Sequence, residues 1–158
     1  MERVLNNSYF AAETKVLTEN GETNIENIVV GDMVLTHENS YKQVLEVQNN
    51  KNDVYMLETM DGTKFVATEN QFFLVSQKKK GIYTIPQKKM LSKLNKNDYL
   101  LSHFETDGSG HIYHQFTGVK SIKPLDKKVS TYNLIVEDSH TFIAENKIVF
   151  DNSVLVKA

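Results

Sequence analysis

Apolar and polar positions alternate in short runs along most of this chain. "TKVLT", "DMVLTHE", "YKQVLEVQ", "DVYMLETM", "KFVATENQFFLV", "GIYTI", "DYLLSHF", "TGVKSIKPL", "STYNLIV" and "HTFIAENKIVF" each read as strands. Turn residues punctuate them: Asn20-Gly21, Asp61-Gly62 and Glu145-Asn146. Asp61-Gly62, between "YMLET" and "TKFVAT", is a strong hairpin signal. Only "NIENIV" and "KKMLSKLNK" suggest helix, and each is long enough for little more than one turn. The pattern predicts an all-β domain of barrel-like or pseudo-symmetric form.

The pattern also repeats. "IVVGDMVLTHE" returns as "KLNKNDYLLSHF", aligning Asp32 with Asp98. "VYMLETMDGTKFVATENQFFLV" returns as "TYNLIVEDSHTFIAENKIVF", aligning Tyr55 with Tyr132. Two echoes in the same order predict a duplicated, two-fold-related β fold with extra residues in the second connector.

Composition narrows the chemistry. A chain of 158 residues builds one domain with a real core. The net charge of −2 makes no electrostatic trap for nucleic acid or a membrane surface. No apolar run approaches a membrane span and no signal-peptide pattern opens the chain, so a cytoplasmic protein is expected. Cysteine is absent, which removes disulfides, thiolate metal sites and a thiol nucleophile together. Covalent chemistry here falls to oxygen, nitrogen or carboxylate.

The end of the chain offers such chemistry. A strand-like run, "KIVF", enters Asp151-Asn152-Ser153. Asn152 can be a turn residue. It can also attack its own carbonyl through its side-chain amide and cut the chain before Ser153.

Four segments, in order, resemble the splicing blocks of inteins, members of the hedgehog/intein fold. "YFAAETKVLTENGETNIENIVVGDMVLT" resembles the first block, "DGTKFVATENQFFLV" the second, "STYNLIVEDSHTFIAEN" the penultimate and "KIVFDNS" the terminal one. The resemblance runs from about Ser8 to Ser153, and the length suits an intein with no endonuclease inserted. It implies an all-β hedgehog/intein (HINT) fold, pseudo-two-fold symmetric, with short helical turns. Residues 1–7 become the upstream flank, 8–152 the splicing domain and 153–158 the downstream flank.

The resemblance also implies roles. Asn152 matches the cyclising asparagine and Ser153 the hydroxyl that receives the upstream acyl group. Thr68 matches the threonine that helps hold the upstream scissile amide. Gln71 stands where the family usually has histidine; it can polarise a peptide but cannot titrate. Asn133 stands where many inteins carry aspartate, and can orient a hydroxyl without moving a proton. His140 keeps the penultimate block's histidine, the natural assistant of Asn152 cyclisation. Asp151 replaces the usual histidine before the asparagine and can accept a proton or orient the Asn152 amide. Family spacing from Thr14 lands on Tyr9, whose phenol is not a known nucleophile; a one-residue insertion makes Ser8 the nucleophile. Otherwise a reactive residue has been replaced at Tyr9, Ala11 or Ala12, leaving an inactivated chain.

The remaining features read as ordinary. The lysine-rich run "QKKKGIYTIPQKKMLSKLNK" lacks an aromatic stacking platform and reads as solvated surface. His103, His111 and His114 have no diagnostic metal spacing, and neither metal nor cofactor is expected. "ETDGSGHIYHQF" lies where split inteins divide and reads as an exposed loop or linker around Asp107–Gly110. The expected partners are the chain's own flanks and, where the chain is divided, a complementary fragment; a monomer is expected. The expected activity is single-turnover self-splicing. The rival readings are a Hint-fold protein that only cleaves and a β-rich binding module without covalent chemistry.

Overall fold

The computed structural model describes residues 2–5, 8–103 and 105–156. A single sheet of 13 strands carries nearly all of the fold. Its hydrogen-bonded path runs from Phe72–Lys79 through Asp98–Leu101, Phe116–Val136, Phe10–Ala11, Lys64–Ala67, Tyr41–Thr59, Met33–Leu35, Lys15–Thr18 and Thr141–Ala144 to Lys147–Phe150. Val149 then pairs with Phe73, so the path closes on itself. Closure removes most of the open edge an antiparallel sheet otherwise exposes.

The duplication is visible bond by bond. The 3-10 turn Ile25–Asn27 precedes the strand Met33–Leu35, and the 3-10 turn Leu91–Lys93 precedes Asp98–Leu101. In the first copy Asp32 Oδ2 accepts the Val29 N–H at 2.9 Å; in the second Asp98 Oδ2 accepts the Asn95 N–H at 2.9 Å. Each aspartate thus ties the turn before its strand, which explains why "GD" and "ND" recur there. Asp98 is also fully buried against Lys89 Nζ at 2.9 Å, an anchor for the second copy.

Two long antiparallel strands, Tyr41–Thr59 and Phe116–Val136, join the copies. The alternation predicts two short strands in each place. Asn49–Asn52 reads as a break because it is polar, yet it continues as a ribbon with solvent on both faces, paired to Val129–Tyr132. Pro124 does not end its strand because the register shifts between Pro124 and Lys128, so its missing N–H interrupts no regular ladder. Conversely, "KFVATENQFFLV" is two strands rather than one. A turn at Thr68–Gln71 divides them, with the Gln71 N–H donating to the Thr68 carbonyl at 3.1 Å.

The tip around Asp107–Gly110 is exposed, as expected, but it is a bonded hairpin end. Asp107 Oδ1 accepts Ser109 N–H at 2.9 Å and His111 N–H at 3.0 Å. The bond of the Ser109 hydroxyl, and then these two, hold the Asp107 carboxyl below its ordinary range.

The core pins the two chain ends. Phe10 lies 6.0 Å from Phe65, 6.1 Å from Phe73 and 6.0 Å from Phe142, ring centre to ring centre. Such pairs contribute roughly 0.5–1.5 kcal/mol each beyond their buried area. Phe10 follows Ser8 by two positions, and Val149, which pairs with both Phe142 and Phe73, precedes Asn152 by three. No helix among the described residues is long and apolar enough to cross a membrane.

Candidate functional site

Ser8 and Asn152 meet in the buried centre. The Ser8 N–H donates to Asn152 Oδ1 at 2.5 Å, and both residues are 1% exposed. The same amide nitrogen belongs to the peptide bond that joins Ser8 to Asn7. The Ser8 hydroxyl donates to the Asn70 carbonyl at 2.9 Å. Beyond Ser8 and Asn152, the strands Glu2–Leu5 and Ser153–Val156 pair antiparallel, with Leu5 opposite Ser153. Asn6 and Asn7 lie outside the described residues.

The Thr68–Gln71 turn touches both ends. Thr68 Oγ1 accepts the Tyr9 N–H at 3.1 Å, and the Thr68 N–H donates to the Tyr9 carbonyl at 3.0 Å. Asn70 supplies its carbonyl to Ser8. Gln71 faces the other way: its Nε2 donates to the carbonyls of Phe72 and Phe150, each at 2.9 Å. The Gln71 amide therefore braces the strand that leads into Asp151 instead of bonding the upstream peptide.

Asn152 is fixed by three neighbours. Besides Ser8, its backbone N–H donates to the Leu134 carbonyl at 3.1 Å, and its Nδ2 donates to Gln48 Oε1 at 3.3 Å. Gln48 carries no motif of its own. Only the register of the long strands, with Gln48 opposite Asn133, brings it here.

Asp151 makes four polar contacts. Its Oδ2 accepts the Val136 N–H at 2.8 Å and faces His140 Nδ1 at 3.1 Å. Its Oδ1 accepts the Ser153 N–H at 3.0 Å and the Ser153 hydroxyl at 2.6 Å. His140 Nδ1 also lies 2.9 Å from Ser153 Oγ. Asp151, His140 and Ser153 thus form a closed three-way contact. His140 reaches it from a left-handed backbone conformation, φ 55°, which lets its carbonyl accept the Asp151 N–H at 2.9 Å. That conformation is uncommon for a non-glycine residue.

Lys88 feels the charge of this carboxylate. Its Nζ stands 4.5 Å over the Phe72 ring and 5.0 Å over the Phe150 ring. Burial lowers its affinity for a proton, and the charge of Asp151 opposes that shift.

Asn133 is brought alongside but joins none of these bonds. It is 2% exposed, and neither its oxygen nor its nitrogen has a partner among the described residues. It lines a cavity of about 190 Å³ with Tyr132, Gln48 and Glu26. Among the other positions weighed upstream, Tyr9 is buried and bound through its backbone to Thr68, while Ala11 pairs with Thr131.

Solved structures share this arrangement of strands. The gp41-1 intein matches with a TM-score of 0.70 at 22% identity, over 92% of this chain and 99% of that one. A DnaB intein from Synechocystis sp. PCC 6803 matches with a TM-score of 0.72 at 19% identity, over 91% and 98%. A bacterial intein-like domain from Clostridium thermocellum matches with a TM-score of 0.66 at 27% identity, over 91% and 98%. No curated protein matches the chain. The family model described as the Hint domain matches residues 9–156. Spanning nearly the whole sequence, that match shows that the chain belongs to the Hint-domain family, with the all-β fold of inteins.

Proposed function

We propose that the chain splices itself, excising residues 8–152 and joining the segments on either side. The observation that carries this reading is the 2.5 Å bond between Ser8 N and Asn152 Oδ1, which joins two positions 144 residues apart. Ligation needs both junctions held together, because only then is the acyl transfer intramolecular.

In the first step the Ser8 hydroxyl attacks the Asn7 carbonyl. The Asn7–Ser8 C–N bond breaks and the hydroxyl proton passes to the Ser8 nitrogen, leaving an ester. Asn152 Oδ1 holds that nitrogen, and Thr68 fixes the next peptide through Tyr9. Ser153 then attacks the ester and takes the upstream segment onto its own oxygen. Asp151 Oδ1, 2.6 Å from Ser153 Oγ, accepts its proton, which passes to the departing Ser8 oxygen, while His140 Nδ1 orients the pair. Asn152 Nδ2, positioned by Gln48, finally attacks its own carbonyl, forming a succinimide and releasing Ser153 with a free amine. An acyl shift from the Ser153 oxygen to that amine restores a peptide bond.

On this reading His140 serves Ser153 first, and Asn133 stands by the site without bonding the reacting groups. The flanking segments are the substrates, a monomer suffices, and a chain divided near the Asp107–Gly110 tip would reassemble from two fragments. A second reading, cleavage at the downstream junction alone, draws support from Gln71, whose amide braces Phe150 rather than the upstream peptide.

Hydroxylamine separates the two. It traps the upstream ester as a hydroxamate on Asn7 in an Asn152→Ala chain, and Ser8→Ala should abolish that product. Downstream release by the chain with Asn152 intact, together with no Asn7 hydroxamate from the Asn152→Ala chain, would favour the second reading and remove the first.

A further inference from the structure

The contacts of Asp151 Oδ1 fit a reaction that the splicing sequence does not use. This one oxygen touches the Ser153 hydroxyl at 2.6 Å and the Ser153 amide nitrogen at 3.0 Å. Those two atoms flank the carbonyl carbon of Asn152: the nitrogen is bonded to it, and the hydroxyl can reach it by closing a five-membered ring.

We infer that the downstream junction carries an acyl shift of its own, acting on the peptide bond between Asn152 and Ser153. Ser153 Oγ attacks the Asn152 carbonyl and passes its proton to Asp151 Oδ1. The C–N bond breaks, and the same carboxylate oxygen returns the proton to the departing Ser153 nitrogen. The product is an ester between residue 152 and Ser153 Oγ, with a free amine on Ser153 and no net gain or loss of protons. Water or an added nucleophile then opens the ester and releases the downstream segment.

Three features support this relay. The Asp151 side chain is fully buried, so little water competes for its oxygens. Its other oxygen is anchored by the Val136 N–H at 2.8 Å, which fixes the carboxylate plane. His140 Nδ1, 3.1 Å from Asp151 Oδ2 and 2.9 Å from Ser153 Oγ, holds the two groups together and leaves Asp151 Oδ1 to take the hydroxyl proton. The reaction needs neither the Ser8 hydroxyl nor the Asn152 amide, so it stands apart from splicing.

The test uses the full chain carrying Asn152→Ala. That change removes cyclisation, and with it the succinimide route by which hydroxylamine cuts at asparagine. Hydroxylamine should yield two products by mass spectrometry: a chain ending in a hydroxamate at position 152, and a peptide beginning at Ser153. Adding Ser153→Ala should abolish both. Adding Asp151→Asn should lower the yield by about 10²-fold or more, the usual scale for losing a positioned acid–base group. Amide-proton protection in the two long strands certifies folding of each variant. Should Asp151→Asn lose that protection, Asp151→Glu, which displaces the carboxylate, is used instead with the same expected loss. A folded Asn152→Ala chain that gives no hydroxamate at position 152 overturns the inference, as does a yield indifferent to Asp151. The Asn7 hydroxamate in the same sample reads the first splicing step, so each proposal fails separately.

Discussion

Replacing Asp151 by asparagine should cost stability and, more heavily, splicing. The asparagine oxygen can take the place of Oδ2, where it still accepts the Val136 N–H. Its NH2 group then faces the Ser153 N–H, a donor meeting a donor, where Oδ1 accepted at 3.0 Å. One buried N–H left unpaired costs about 1–3 kcal/mol, and loss of charge assistance in the surviving bond about 1 kcal/mol more. Relief from burying a carboxylate offsets part of this. The net loss is roughly 2–3 kcal/mol, which for a chain of this length lowers Tm by about 4–12 °C. The catalytic effect is larger. Without a carboxylate to accept the Ser153 proton, transesterification should slow about 10²-fold or more, while formation of the Ser8 ester continues. Between long flanks, the variant should therefore accumulate upstream ester, read as an Asn7 hydroxamate, and little ligated product. Splicing at the unmodified rate by a folded Asp151→Asn chain would refute this assignment.

Other perturbations follow from single contacts. Gln48→Ala removes one neutral hydrogen bond from the cyclising amide, about 1 kcal/mol, and should slow Asn152 cyclisation roughly 5-fold; the branched ester accumulates on a gel. Gln71→Ala frees the Phe150 carbonyl, so downstream release should slow while the Asn7 hydroxamate still forms at its normal rate. Asp61 is subject to burial, which raises its pKa, but the bonds from Thr59, Lys147 and Thr63 outweigh it and hold the carboxyl well below its ordinary range. A depressed folded pKa contributes stability above the unfolded value near ~3.9, lost as pH falls through the folded one. Acid melting curves below about pH 4 should accordingly flatten in Asp61→Asn, with little change in their slope at neutral pH.

The halves of the molecule were legible because the same local bonds are encoded twice. Asp32 and Asp98 each close the turn before a strand, and a short carboxylate at a fixed offset leaves a readable mark. The downstream end was legible because Asp151, Asn152 and Ser153 are consecutive. What lies across the sheet was not. Gln48 enters the site through a register that two 19- and 21-residue strands set only once paired. The direction of the Gln71 side chain depends on where the Thr68–Gln71 turn breaks the strand, and alternation alone gives no break there. Polarity in Asn49–Asn52 reads as a break because a ribbon wet on both faces has no apolar pattern to detect.

Mass spectrometry of the chain placed between two long, distinguishable flanks tests self-splicing most directly. The account predicts a ligated flank product with the upstream segment joined to Ser153, together with an excised 8–152 fragment ending in a succinimide. Both should vanish in Asn152→Ala. A chain that stays whole, or releases its flanks only as separate pieces, would contradict it.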